Sequence, residues 1–105
     1  MAPIAERLES LSRSERWTAL ESIVVAEFKT ALLMTEDEEL PLADSFFELG
    51  LTSLALTDVK QRLEELLGQG ISSTVMFNRP TVEQLMDYLT SEVLAELFDS
   101  RTAMT

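Results

Sequence analysis

Three stretches of the chain repeat their apolar residues three and four positions apart, and nothing alternates convincingly enough to be a sheet, which makes the fold all-α. The first helix is expected to open at Ser12, with Glu15 three residues on to complete a capping box, although Ser14 competes for the role. Trp17, Leu20, Val24, Phe28 and Ala31, flanked by Ile23 and Leu32, mark its apolar face, and Trp17 is read as a packing residue rather than a ligand platform. The next helix starts at Ser53 or Leu54 and ends near Leu67, where Gly68 and Gly70 stop it. At about 100° per residue, Leu56, Val59, Leu63, Leu66 and Leu67 gather on one side, while Leu54 falls opposite, beside Asp58, Gln61 and Glu65. The run from Ser72 to Asn78 suits a short third helix closed off by Pro80. Thr81 with Gln84 then caps a last helix carrying Val82, Leu85, Met86, Leu89 and Val93 on its inner face.

Between the first two long helices lie some 18 residues, TEDEELPLADSFFELGLT, without sustained periodicity. An idle connection of that length is uncommon in a compact domain, so the loop is expected to have work. Phe46, Phe47 and Leu49 are candidates to pin it to the core, Ser45 to Glu48 reads as a brief capped turn, and Gly50 suits a positive φ. The loop runs into Thr52-Ser53-Leu54, which places a hydroxyl at the mouth of a helix. Such a serine ordinarily caps the helix by accepting a backbone N–H.

Composition narrows the chemistry. The 105 residues, 46% of them apolar and 26% charged, suit one small globular core. They include neither histidine nor cysteine, which removes an imidazole base, a thiolate nucleophile and the usual soft metal ligands. The net charge of −11, from 19 acids and 8 bases, argues against nucleic acid or an anionic membrane as partner and for a basic one. No Lys or Arg lies between Lys29 and Lys60, a span that holds Glu36, Asp37, Glu38, Glu39, Asp44, Glu48 and Asp58. With no apolar run of roughly 20 residues and no secretory layout at the N-terminus, the chain is expected to be cytoplasmic.

DSFFELGLTSL from Asp44 to Leu54, followed by MFNRPTVEQL from Met76 to Leu85, resembles the acyl carrier proteins, and the resemblance runs from about residue 14 to 95. It implies a four-helix bundle with a short third helix and a long loop between helices one and two. It also implies that Ser53 receives a 4′-phosphopantetheine arm from coenzyme A through a separate phosphopantetheinyl transferase. The arm's thiol would hold acyl groups as thioesters, supplying the sulfur this chain lacks, and the domain would be a substrate and shuttle rather than an enzyme. Most carriers of this kind have Asp immediately before the serine, where this chain has Thr52, so a transferase that reads the carboxylate meets a different group.

Phe-Phe-Glu-Leu-Gly before the serine is most like carriers of type I modular polyketide synthases, with peptidyl and fatty-acyl carriers as the nearest alternatives. By the same resemblance, partner enzymes such as ketosynthase and acyltransferase dock around Glu48, Thr52, Leu54, Asp58 and Met76, with core packing equally open for Met76. The isolated domain is expected to be a monomer. A reading from another class is a noncatalytic helical adaptor that binds a basic partner and uses Ser53 only as a cap. Residues 1–12 are read as a linker or extension without a partner in the fold, 13–97 as the carrier domain, and 98–105 as a tail or linker.

Overall fold

A computed structural model describes residues 4–98, and within them every regular element is a helix. α1 spans Ile4–Glu9, α2 Arg13–Ala31, α3 Ser53–Leu67, α4 Ser73–Asn78 and α5 Val82–Tyr88; a π-helical turn over Leu89–Val93 leads into α6, Ala95–Phe98. α2 opens on the expected box: Ser12 Oγ accepts from the Glu15 N–H at 3.3 Å, and the Glu15 carboxylate accepts from the Ser12 N–H at 3.0 Å. That donated N–H, followed by the hydroxyl of the same serine, holds the Glu15 carboxyl below its ordinary range. Leu20, Val24 and Phe28 then face inward against Leu56, Val59, Leu63 and Leu67 of α3 and Val82, Leu85, Met86 and Leu89 of the last helical stretch. The C-terminal end of α2 lies beside the N-terminal end of α3, where Thr30 and Ala31 line one groove with Ala55 and Asp58.

The linker after α3 is tied at two points. Glu64 accepts from the Ile71 N–H at 2.8 Å and from Lys60 at 3.1 Å, and these partners, Ile71 foremost, hold its carboxyl below the ordinary carboxylate range. Tyr88, buried on α5, accepts the Ser72 N–H with its hydroxyl at 3.0 Å. Ser72 in turn caps α4 by accepting from the Val75 N–H. The Thr81 cap on α5 differs from a reciprocal box: Thr81 Oγ1 accepts from the Gln84 N–H and also donates to the Gln84 side chain.

Three expectations are corrected. Trp17 is 42% exposed rather than packed, although it lies one turn before Leu20 on the same side of α2; shared angle on a helix does not by itself supply a partner. The last helix is not continuous to Val93. The hydroxyls of Thr90 and Ser91 bond back to the Met86 and Asp87 carbonyls, and the Leu94 N–H reaches the Leu89 carbonyl five residues back at 2.7 Å. The wider turn takes up one extra residue, so Leu94 is buried where an uninterrupted helix would have placed Val93.

Thirdly, the segment read as a linker without a partner carries α1 and buries Leu8. Arg16 explains why. Its guanidinium donates to the carbonyls of Leu8, Glu9 and Leu11 on one side and to that of Leu97 on the other, at 2.7 to 2.9 Å. A single cation therefore closes the ends of α1 and α6 together, a favourable place for positive charge. Periodicity alone does not reveal it. Phe98, assigned to the tail, ends α6, and the rest of the tail, 99–105, lies outside the described residues.

The end of α2 carries backbone strain. The Leu33 N–H bonds the Thr30 carbonyl at 3.2 Å and the Met34 N–H bonds the Lys29 carbonyl at 2.8 Å, the arrangement that normally takes glycine at its left-handed position. Here that position is Leu33, at φ +60° and 90% exposed. Leu33→Gly is expected to stabilise the fold by about 1 kcal/mol, because it relieves the left-handed leucine and gives up no buried contact. A urea-unfolding midpoint that rises relative to the unsubstituted protein checks this.

Candidate functional site

The site is assembled by the loop. Leu40, Phe46 and Leu51 are buried and hold the loop to the bundle, with the Phe46 ring stacked on Phe28 at 3.8 Å between centroids. The Phe46 N–H bonds the Pro80 carbonyl at 2.7 Å and the Leu51 N–H bonds the Phe46 carbonyl at 2.9 Å, which closes the turn before α3. Gly50 takes φ +105° in that turn. A Cβ there would have open space, so what calls for glycine is the backbone angle rather than crowding.

Thr52, not Ser53, is the N-cap of α3: its Oγ1 accepts from the Ala55 N–H at 3.1 Å. Ser53 becomes the first residue inside the helix, exposed to solvent. Among the described residues its hydroxyl has no hydrogen-bond partner, while its carbonyl accepts from Thr57. The N–H groups of Ser53 and Leu54 precede the first intrahelical acceptors and, with the positive end of the helix dipole, face the same space. The hydroxyl is thus accessible, released from capping, and set where an attached phosphodiester would meet donors rather than carboxylates of its own turn. The residues fit a phosphate-linked group.

The other residues named from sequence divide. Leu54 is 75% exposed one step beyond Ser53, on the face predicted for it, and Asp58, Thr52 and Glu48 are exposed as well. Met76 is corrected: only 1% exposed, it belongs to the core, because the short α4 turns that side chain inward. The residue α4 presents outward is its neighbour Phe77, stacked with Phe47 of the loop. Of the three residues expected to pin the loop to the core, Phe46 is buried and Leu49 is partly buried, but Phe47 is 38% exposed, because two adjacent phenylalanines give no periodic signal of which one faces in. Among the described residues no cluster of carboxylates could hold a metal ion, and no helix is long and apolar enough to cross a membrane.

A helical bundle that presents an uncommitted serine at the first turn of a central helix is the architecture of a carrier domain. The family described as "Phosphopantetheine attachment site" matches residues 22–89, and the chain belongs to it. This family carries a covalently attached 4′-phosphopantetheine. The chain is 32% identical over 90 residues to polyketide synthase GfsA of Streptomyces halstedii, covering 86% of this chain and 1% of that protein. It is 37% identical over 81 residues to a phenolphthiocerol/phthiocerol polyketide synthase of Mycobacterium tuberculosis, covering 77% of this chain and 4% of that one. The chain thus spans only a few per cent of the length of these relatives. An A1-type ACP domain from module 5 of MLSA1 shares the fold at a TM-score of 0.70 and 24% identity, over 86% of this chain and 90% of that one. The Pax NRPS docking-domain complex, PaxA T1-CDD/PaxB NDD, superposes at 0.63 with 26% identity, over 81% and 78%.

The division of labour at the junction has a direct test. Thr52→Ala is expected to lose about 1 kcal/mol of stability with the cap, whereas Thr52→Asp, which still caps, keeps it. Thermal melts of the two variants against the unsubstituted protein distinguish them.

Proposed function

We propose that Ser53 is the attachment point of the 4′-phosphopantetheine arm and that the domain carries polyketide intermediates on it as thioesters between the enzymes of a synthase. The observation that carries this reading is the transfer of capping to Thr52, which leaves the Ser53 hydroxyl exposed and unpaired at a helix N-terminus. Attachment is a displacement at phosphorus. Ser53 Oγ takes the phosphopantetheine, the adenosine bisphosphate half of coenzyme A leaves, and the serine proton passes to a base on the phosphopantetheinyl transferase. The domain itself supplies position and no catalytic group, as a chain without histidine or cysteine suits. Similarity to two polyketide synthases favours polyketide cargo over peptidyl or fatty-acyl cargo.

The carrier unit is taken as residues 4–98, since Arg16 binds α1 and α6 into one base. It works as a monomer in the cytoplasm. Leu54 supplies the apolar centre of the surface that ketosynthase, acyltransferase and the transferase contact, and Asp58, Glu48 and Thr52 rim it; exposure and acidity support this for partners with basic rims.

Incubation with coenzyme A and a broad-specificity phosphopantetheinyl transferase is expected to add one phosphopantetheine by intact mass, and none to Ser53→Ala of unchanged helical circular dichroism. A modified Ser53→Ala protein would sink the assignment. No gain in folded, unmodified protein with two different transferases would favour the adaptor reading. Leu54→Ala is expected to slow transfer by partner enzymes several-fold while stability stays within about 0.5 kcal/mol; a large loss of melting temperature with unchanged transfer would make Leu54 a packing residue.

A further inference from the structure

Phe47 and Phe77 form a second feature at this end of the molecule. Each is 38% exposed, and their rings lie 6.0 Å apart at 25°, one on the loop and one on α4. The pair is rigidly mounted. Phe46, adjacent to Phe47, is buried against Phe28, and its N–H is held by the Pro80 carbonyl just past α4, so loop and helix are fixed to each other beneath the two rings. Their chain neighbours Phe46 and Met76 are fully buried, whereas these two rings keep part of their surface in solvent.

The bond from the Leu51 N–H to the Phe46 carbonyl keeps the turn closed, so the Phe47 Cα lies within about 15 Å of the Ser53 Cα. A phosphopantetheine arm has the length of four to five extended residues, about 16 Å, long enough for its thiol to reach the rings. A group on such a tether meets a nearby surface at an effective concentration on the order of millimolar, so a weak apolar contact becomes populated.

Resting on the carrier reading of Ser53, we infer that the Phe47–Phe77 pair is a surface ledge for the arm's cargo, taking the neutral, apolar portion of a thioester-linked acyl chain. Charged residues stand close to the two rings in the chain, Glu48 after Phe47 and Arg79 two residues after Phe77, and a neutral alkyl chain meets such neighbours without desolvating a charge of its own. Both rings keep part of their surface in solvent, so cargo lying on them stays where a partner enzyme can lift it away.

The test loads the protein with octanoyl-phosphopantetheine from octanoyl-coenzyme A, verifies attachment by intact mass, and follows the terminal methyl of a labelled octanoyl chain by NMR. The expected result is an upfield ring-current displacement of that methyl relative to free octanoyl-pantetheine, with the Phe47 and Phe77 ring resonances moving too. An acetyl load, too short to lie across the rings, is expected to leave them in place. Phe77→Leu and Phe47→Leu, each checked by melting temperature and amide spectrum, are expected to return the methyl towards its free position; Phe77→Leu keeps the test open should Phe47→Leu disturb the turn. Attachment with an undisplaced methyl and unmoved rings overturns the ledge and leaves the carrier reading intact. Failure of attachment from coenzyme A itself with two different transferases overturns the carrier reading and the ledge with it.

Discussion

The burial of Phe46 against Phe28 is the contact on which the site depends. Without an apolar anchor in its middle, the connection between α2 and α3 would be a long acidic strand with little to offset its ordering entropy. With Phe46 inside, and Leu40 and Leu51 seated on either side of it, the loop has a fixed path. The same residue turns its backbone to use: its carbonyl closes the Phe46–Leu51 turn and its N–H is satisfied by Pro80. The position of α3's first turn is therefore set by an aromatic stack made some distance away in the core.

At that turn two neighbouring hydroxyls have separate duties. Thr52 satisfies the helix, and Ser53 is left outside the hydrogen-bond network. A single serine in the capping role would have its hydroxyl oxygen engaged by the helix. Threonine also keeps the cap neutral, so the helix mouth retains its full positive end, a different electrostatic balance from a carboxylate in the same place. The acidity of the surface lies further out, along the loop and on the exposed face of α3.

Much of this was legible in the sequence because helical periodicity is a local signal. The inward faces of α2, α3 and α5, the Ser12–Glu15 box and the outward Leu54 all follow from spacing. What escaped depends on contacts between distant residues or on competition within one turn. α1 is held in place because Arg16 bonds the Leu8 and Leu97 carbonyls together, and no pattern in the first eleven residues announces that. The π turn reflects Thr90 and Ser91 competing for backbone carbonyls, a choice that an amphipathic pattern read at a fixed 100° cannot register. Trp17 shares the angular position of the core stripe and is still exposed, because periodicity measures angle and not what packs across it. At the site, the motif pointed to Ser53, but which hydroxyl caps and which of two phenylalanines faces out were decided by the tertiary turn.

Arg16 and Ser53 stand at opposite poles. From Arg16 to Ala31, which flanks the start of α3, the helix rises about 22 Å. At the Arg16 pole one guanidinium clasps the C-terminal ends of α1 and α6 together. The turn that carries Ser53 is the end of the bundle farthest from that clasp, so α2 acts as a spacer whose length separates the fold's closure from its exposed serine.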